Sequence, residues 1–181
     1  MERQATLEGE RLLLRPLRPD DWDALYAVAS DPLVWELHPA NDRWQEPVFR
    51  EFFANALAGG GALVAIDKST GDIVGSSRFQ GHDPANGGSV EIGWTFLARS
   101  HWGGSWNREM KRLMLAHALA QVARVDFRVG ETNWRSRRAM EKIGGRLSER
   151  DEVIDMAGTP VRHVIYEIDR DSFASGPLSR A

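Results

Sequence analysis

The sequence predicts an α/β (α+β) domain whose central mixed sheet is covered by helices on both faces. Three observations carry this expectation: the element order β α α β β β α β α β, a hairpin in the middle of that order, and a length of 181 residues, enough for one sizeable core. Helices between strands favour parallel neighbours, whereas the hairpin imposes antiparallel ones, so a purely parallel sheet is excluded.

Residues 11–14, RLLL, read as a strand entering the proline-punctuated turn RPLRPDDW. Asp20 or Asp21 then caps a helix to about residue 29, which Asp31-Pro32 ends. A second helix starts near Pro47, carries Val48, Phe52, Phe53, Ala56 and Leu57 along one side, and is broken by the glycines at 59–61. ALVAID and DIVGSSRF, joined by KSTG, have the β-branched content and turn chemistry of a hairpin. After the loop HDPANGG, SVEIGWTF is a third central strand in which Gly93 marks a bulge or a close backbone approach. Over residues 106–122, Met110, Leu113, Met114, His117 and Ala118 recur at helical spacing, with Leu115, Leu119 and Val122 widening the apolar face. DFRV is a strand, NWRSRRAMEKI a helix stopped by Gly144 and Gly145, and VRHVIYEI a closing strand. The domain is expected over residues 1–170, with 171–181 a flexible tail.

Composition narrows the function classes. There are 23 basic against 26 acidic residues, a formal charge of −3, which gives no global attraction for nucleic acid. Any anion must be held locally, and basic residues do gather at Arg99, Arg108, Lys111 and Arg112 and at Arg135, Arg137 and Arg138, as a solvated helix face or as a local anion site. No stretch approaches the ~18 apolar residues of a membrane span, and the start lacks a secretory pattern, so no membrane partner and a cytoplasmic location are expected. With no cysteine there is no disulfide, thiolate nucleophile or cysteine-based zinc site. Histidines 38, 82, 101, 117 and 163 show no paired spacing, and no metal is expected.

The stretch HWGGSWNREMKRLMLAHA, residues 101–118, puts small residues before a helix and no carboxylate until Glu109. A helix start leaves N–H groups free and carries partial positive charge, so Gly103, Gly104 and Ser105 clear space for a phosphate. The plainer reading is a helix start that needs an unusual backbone angle. A phosphate loop ending in Gly-Lys-Ser/Thr is absent, as is G-x-G-x-x-G.

EIGWTFLARSHWGGSWNREMKRLML, followed by NWRSRRAMEKIGG, resembles the acetyl-CoA-binding core of the GNAT N-acetyltransferase superfamily, in the branch of ribosomal-protein N-terminal (Rim-type) acetyltransferases. ERLLLRPLRPDDWDALYAVASDP resembles that branch's first strand and helix, so the likeness runs from residue 10 to about 169. Against the family's Gln/Arg-x-x-Gly-x-Gly/Ala pattern, Gly103 matches, Ser105 replaces the last small residue, and Ser100 takes the first position beside Arg99. The resemblance implies a single GNAT-like domain, with six to seven strands splayed at the centre and about four helices. It also implies acetyl-CoA as cosubstrate.

By the same resemblance Thr95, Phe96 and Leu97 meet the pantetheine arm, and N–H groups of Trp102, Gly103, Gly104, Ser105, Trp106 and Asn107 hold the pyrophosphate. Asn133 touches the pantetheine, or serves as an N-cap, or both. Ser136 matches the residue placed to protonate the leaving thiolate; Met140 stands where many relatives have a tyrosine acid. Glu91 is the leading base, unless strand alternation turns it from the cleft; His38 and a water relay are the alternatives. Backbone N–H groups from Gly93 to Thr95 are candidates for the oxyanion. Trp35 and Trp44 are candidates to line the acceptor pocket. The implied acceptor is a protein N-terminus or a small primary amine, and a homodimer stays open. The competing reading is a non-catalytic acyl-CoA-binding or regulatory module, favoured by Met140 and Ser105. Single-stranded nucleic-acid binding through the tryptophans is disfavoured by the acidic balance.

Overall fold

Alternation along ALVAID sets the two faces of the sheet. In the computed structural model, which describes residues 1–156 and 158–179, Leu63 and Ala65 join one buried cluster while Ala62 and Val64 join another. Successive strand side chains point to opposite faces, so each cluster belongs to its own side. The strands are β1 (Leu7–Glu8), β2 (Leu12–Pro16), β3 (Ala62–Asp67), β4 (Ile73–Asp83), β5 (Ser89–Leu97), β6 (Arg124–Gly130), β7 (Arg146–Met156) and β8 (Thr159–Asp169). They form one sheet in the order β1-β2-β3-β4-β5-β6-β8-β7, with β5 and β6 parallel and the other neighbours antiparallel.

Helices α1 (Trp22–Ala29), α2 (Pro32–Trp35) and α3 (Glu46–Gly59) bring Leu25, Trp35, Phe49 and Phe53 to one cluster. The other is built by α4 (Trp106–Leu119) and α5 (Trp134–Lys142) through Met110, Met114, Leu115 and Met140. The last helix, α6, spans Arg170–Ser175.

Two features of β5 open the sheet. It pairs with β6 only from Ser89 to Glu91, opposite Arg124 to Asp126, while its other edge stays paired with β4 as far as Leu97. Beyond Glu91 the strands part. Register also slips between Ser76 and Arg78 on β4, and opposite that slip Trp94 adopts φ +51°. The bulge marked by Gly93 is present, but its left-handed residue is Trp94, a conformation that costs a bulky side chain energy.

The structure corrects several expectations. Among the described residues, eight strands replace six to seven and six α-helices replace about four. The added β7 reads as a charge run, RLSERDEVIDM, because it is an exposed edge strand, where charge discourages pairing with other chains. Asp31 does more than end a helix: its side chain accepts from the Leu33 N–H and starts α2. The expected flexible tail is folded over residues 171–179. Asp169 and Ser172 cap α6 reciprocally, and Leu178 is buried in the core. Residues 180–181 lie outside those described.

Candidate active site

The parting of β5 and β6 makes a cleft, and a cavity of 590 Å³ fills it. Its walls are the free side of β5 from Ile92 to Leu97, the end of β6, the starts of α4 and α5, and residues of the segment after α1. A Cβ on Gly130 would lie 2.7 Å from the Pro39 ring, so only glycine lets that segment close over β6.

At the end bounded by the start of α4 the decisive groups are backbone. None of the N–H groups from Gly103 to Arg108 donates a hydrogen bond among the described residues; the first helical bond runs from Glu109 N–H to the Ser105 carbonyl. Six donors are thus free at one helix start, where the dipole favours negative charge. Gly103 turns there at φ +72°, with no atom within 4 Å of where a Cβ would sit. Glu109 is turned away: its Oε1 accepts from the N–H groups of Arg11 (2.9 Å) and Leu12 (3.2 Å), anchoring α4 to β2. Trp102, Gly103, Gly104 and Asn107 line the cavity. Ser105 and Trp106 do not, and Trp106 packs against His101 instead. The Trp102 indole donates to the Leu97 carbonyl at 2.9 Å, and Arg135 lies over its ring.

At the start of α5, Asn133 is buried and its Oδ1 accepts from the Ser136 N–H at 3.2 Å, the N-cap expected of it. Ser136 sits one turn into the helix and lines the cavity, its hydroxyl without a partner among the described residues. Met140, one turn on, lines the same wall.

The Acetyltransferase (GNAT) domain model matches residues 11–146. The chain belongs to the GNAT acetyltransferase family. A GCN5-related N-acetyltransferase from Brucella melitensis is similar to it with TM-score 0.80 at 22% identity, over 98% of this chain and 83% of that one. A GNAT-family acetyltransferase from Bacillus anthracis is similar at TM-score 0.73 and 22% identity, over 92% and 99%. RimJ from Mycobacterium smegmatis, solved in complex with CoA-disulfide, gives 0.69 and 20%, over 93% and 87%. These likenesses concern the fold.

The GNAT domain implies acetyl-CoA, and the cleft suits it. A row of unused N–H donors, no carboxylate facing them, and an open strand edge leading inward match a diphosphate followed by an extended amide chain.

The titratable residues of this GNAT cleft fall out differently from the sequence reading. Glu91 does not line the cavity. Its Oε2 is held by Arg128 at 3.1 Å, and burial raises its pKa against the lowering effect of that arginine. His38 lines the cavity, but its Nδ1 accepts from the Ala40 N–H at 2.9 Å, which leaves the ring hydrogen on Nε2. Burial also pushes its pKa down to about 3, so it is neutral and has no free lone pair. Trp35 lines the cavity and Trp44 does not.

Three further polar residues of the lining bear on the chemistry. His163 on β8 has Nδ1 3.0 Å from the Val161 carbonyl oxygen, which can only accept, so Nε2 keeps its lone pair. Burial lowers its pKa and keeps the ring neutral. Lys111 on α4 is buried and donates to Thr95 Oγ1 at 2.6 Å, its pKa pushed down by burial to about 7. Arg43 reaches in from the loop before α3. Lys111 stands out in sequence only as one of the basic residues near the start of α4, and nothing local marks Arg43 or His163, because each gains its meaning from elements distant in the chain.

Proposed function

We propose that this GNAT protein moves an acetyl group from acetyl-CoA directly to a primary amine, on a peptide N-terminus or a small molecule, in the manner of the Rim-type branch. The observation that carries the reading is the convergence, within one cleft, of the free N–H row at the start of α4 and the unpartnered Ser136 hydroxyl.

The N–H groups of Gly103 to Asn107 are assigned to the pyrophosphate, with Gly103 and Gly104 giving it close approach and Arg135 at the rim; the Trp102 N–H, expected to join them, donates to the Arg99 carbonyl at 3.1 Å instead. Thr95, Phe96 and Leu97 offer the strand edge to the pantetheine amides, and Asn133 holds the start of α5 against that arm. The coenzyme supplies an acetyl group activated as a thioester. N–H groups from Gly93 to Thr95, re-aimed by the bulge, donate to the carbonyl oxygen as negative charge gathers there. His163 Nε2 accepts the proton of the attacking amine, and Ser136 Oγ gives a proton at the sulfur. The role of Glu91 is then to hold Arg128 and the strands at the splay. An α-amine, with reference pKa ~7.7–8.0, needs the base less than a lysine at ~10.4 does.

Met140 favours the second reading, a binding module without chemistry, because a thioether cannot donate the proton that a tyrosine would. Thiol release from acetyl-CoA with a panel of amines, followed by mass spectrometry of the products, separates the two. Transfer to at least one amine supports the enzyme. Tight coenzyme binding with no release from any acceptor supports the module.

A further inference from the structure

Two guanidinium groups stand without a counter-ion among the described residues, Arg43 in the cavity lining and Arg78 behind it against Phe52 and Trp94. Arg43 lines the cavity over the rings of Trp35, at 5.5 Å, and Phe52, at 5.0 Å. Arg78, on β4 and only 6% exposed, lies against the same Phe52 at 5.3 Å and against Trp94 at 5.0 Å. Neither enters an ion pair among the described residues.

Their hydrogen bonding is as poor. Arg43 Nη1 faces His38 Nε2 at 3.4 Å, but the Ala40 N–H has already fixed the hydrogen on that nitrogen, so donor meets donor. Arg78 reaches only the Phe52 carbonyl at 3.4 Å and Gln80 at 3.5 Å, and its Nε has no partner. Burial, and next to it the charge of Arg78, hold the Arg43 pKa down to about 10, which leaves it charged at neutral pH. Asp42, its chain neighbour, acts on it only at a distance. Aromatic faces offset part of the desolvation, yet Arg78 Nε is buried without a partner and the half-buried Arg43 meets no anion among the described residues, a cost that a ligand carboxylate would relieve.

That anion is not the coenzyme's diphosphate. Trp94 precedes the end of β5 by three residues, about 10 Å of strand, and the free N–H groups begin further on at Gly103. We infer that Arg43, backed by Arg78, receives a carboxylate carried by the acceptor, so that the amine acetylated belongs to an aminocarboxylate or to the acidic start of a peptide. A guanidinium packed against aromatic rings keeps its planar fork of donors, the geometry that takes a carboxylate through two parallel hydrogen bonds. The inference rests on the acetyltransferase reading, but its binding step is measurable without turnover.

Calorimetry on the coenzyme A-loaded protein, with thiol release from acetyl-CoA in parallel, tests it on matched pairs. The probes are glycine and glycinamide, β-alanine and β-alaninamide, and C-terminally amidated peptides opening Ala-Glu or Ala-Gln, with phosphoethanolamine as a further arm. The acid of at least one pair is expected to bind about thirty-fold or more tightly than its amide, and the pair that shows it identifies a small or a peptide source. Arg43→Gln is expected to abolish that preference and Arg43→Lys to restore part of it; thermal unfolding and coenzyme affinity establish that each variant is folded. Equal binding of acid and amide in every pair overturns the inference, as does a preference that survives in folded Arg43→Gln. Tighter binding of phosphoethanolamine than of β-alanine overturns the carboxylate assignment. Acid-selective binding with no thiol release from any acceptor sinks the acetyltransferase reading and leaves the ligand of Arg43 standing.

Discussion

The two ends of the cleft are built from different materials. The end proposed for the coenzyme is made of backbone, with six N–H groups free among the described residues at the start of α4 and Gly103 at positive φ. The end proposed for the acceptor is made of side chains, Arg43, Trp35, Trp94 and His163, delivered by four separate elements. A backbone site needs small residues at fixed spacing and tolerates little else, so it leaves a motif. A side-chain site needs only that distant residues arrive together, and its composition is free to vary with the substrate.

The sharpest way to break this contrast is Gly103→Glu. A non-glycine residue at φ +72° costs ~1–2 kcal/mol, and a carboxylate beside phosphate adds repulsion, so coenzyme affinity measured by calorimetry should fall roughly a thousand-fold. Unchanged affinity would remove the phosphate from this turn. Next in size is Ser136→Ala, a loss at the side-chain end: kcat should drop about a hundred-fold while coenzyme affinity stays within about two-fold. Wild-type turnover would take the serine out of the chemistry.

Lys111 joins the two ends, since it grows from α4 and donates to Thr95 on β5. Its native pKa of about 7 lies below the ordinary 10.5, so between those values the unfolded chain holds the extra proton and stability rises with pH. Lys111→Met should remove that slope, with its stability gain over wild type greatest at and below pH 7 and shrinking towards pH 10. A difference between the two proteins that is flat across this range contradicts the burial of the charge. The smallest effect is expected from Asn133→Ala, which loses the N-cap of α5 and should cost ~1 kcal/mol in thermal or denaturant unfolding.

What could be read in the sequence follows the same division. Periodicity and turn residues identified six of the eight strands and four of the six helices, because β3, β4, β5 and α4 bury regular apolar faces. β7 escaped because both its faces are largely exposed, and α2 and α6 because short helices declare themselves by their caps, Asp31 and Asp169, more than by any stripe. At the site, the glycines and the Asn133-Ser136 spacing were legible as a local pattern. For Glu91 the sequence leaves the direction of the side chain open, and it lies off the cavity lining, held by an arginine 37 residues away. Arg43 and His163 could not be chosen over other arginines and histidines, since only the folded chain brings them to one cavity.

A crystal structure of the protein with coenzyme A bears most directly on the phosphate turn. Diphosphate oxygens within hydrogen-bonding distance of the N–H groups of Gly103 to Asn107, with the pantetheine arm along Thr95 to Leu97, are the expected result. A coenzyme bound elsewhere, with those N–H groups still unpaired, would contradict it.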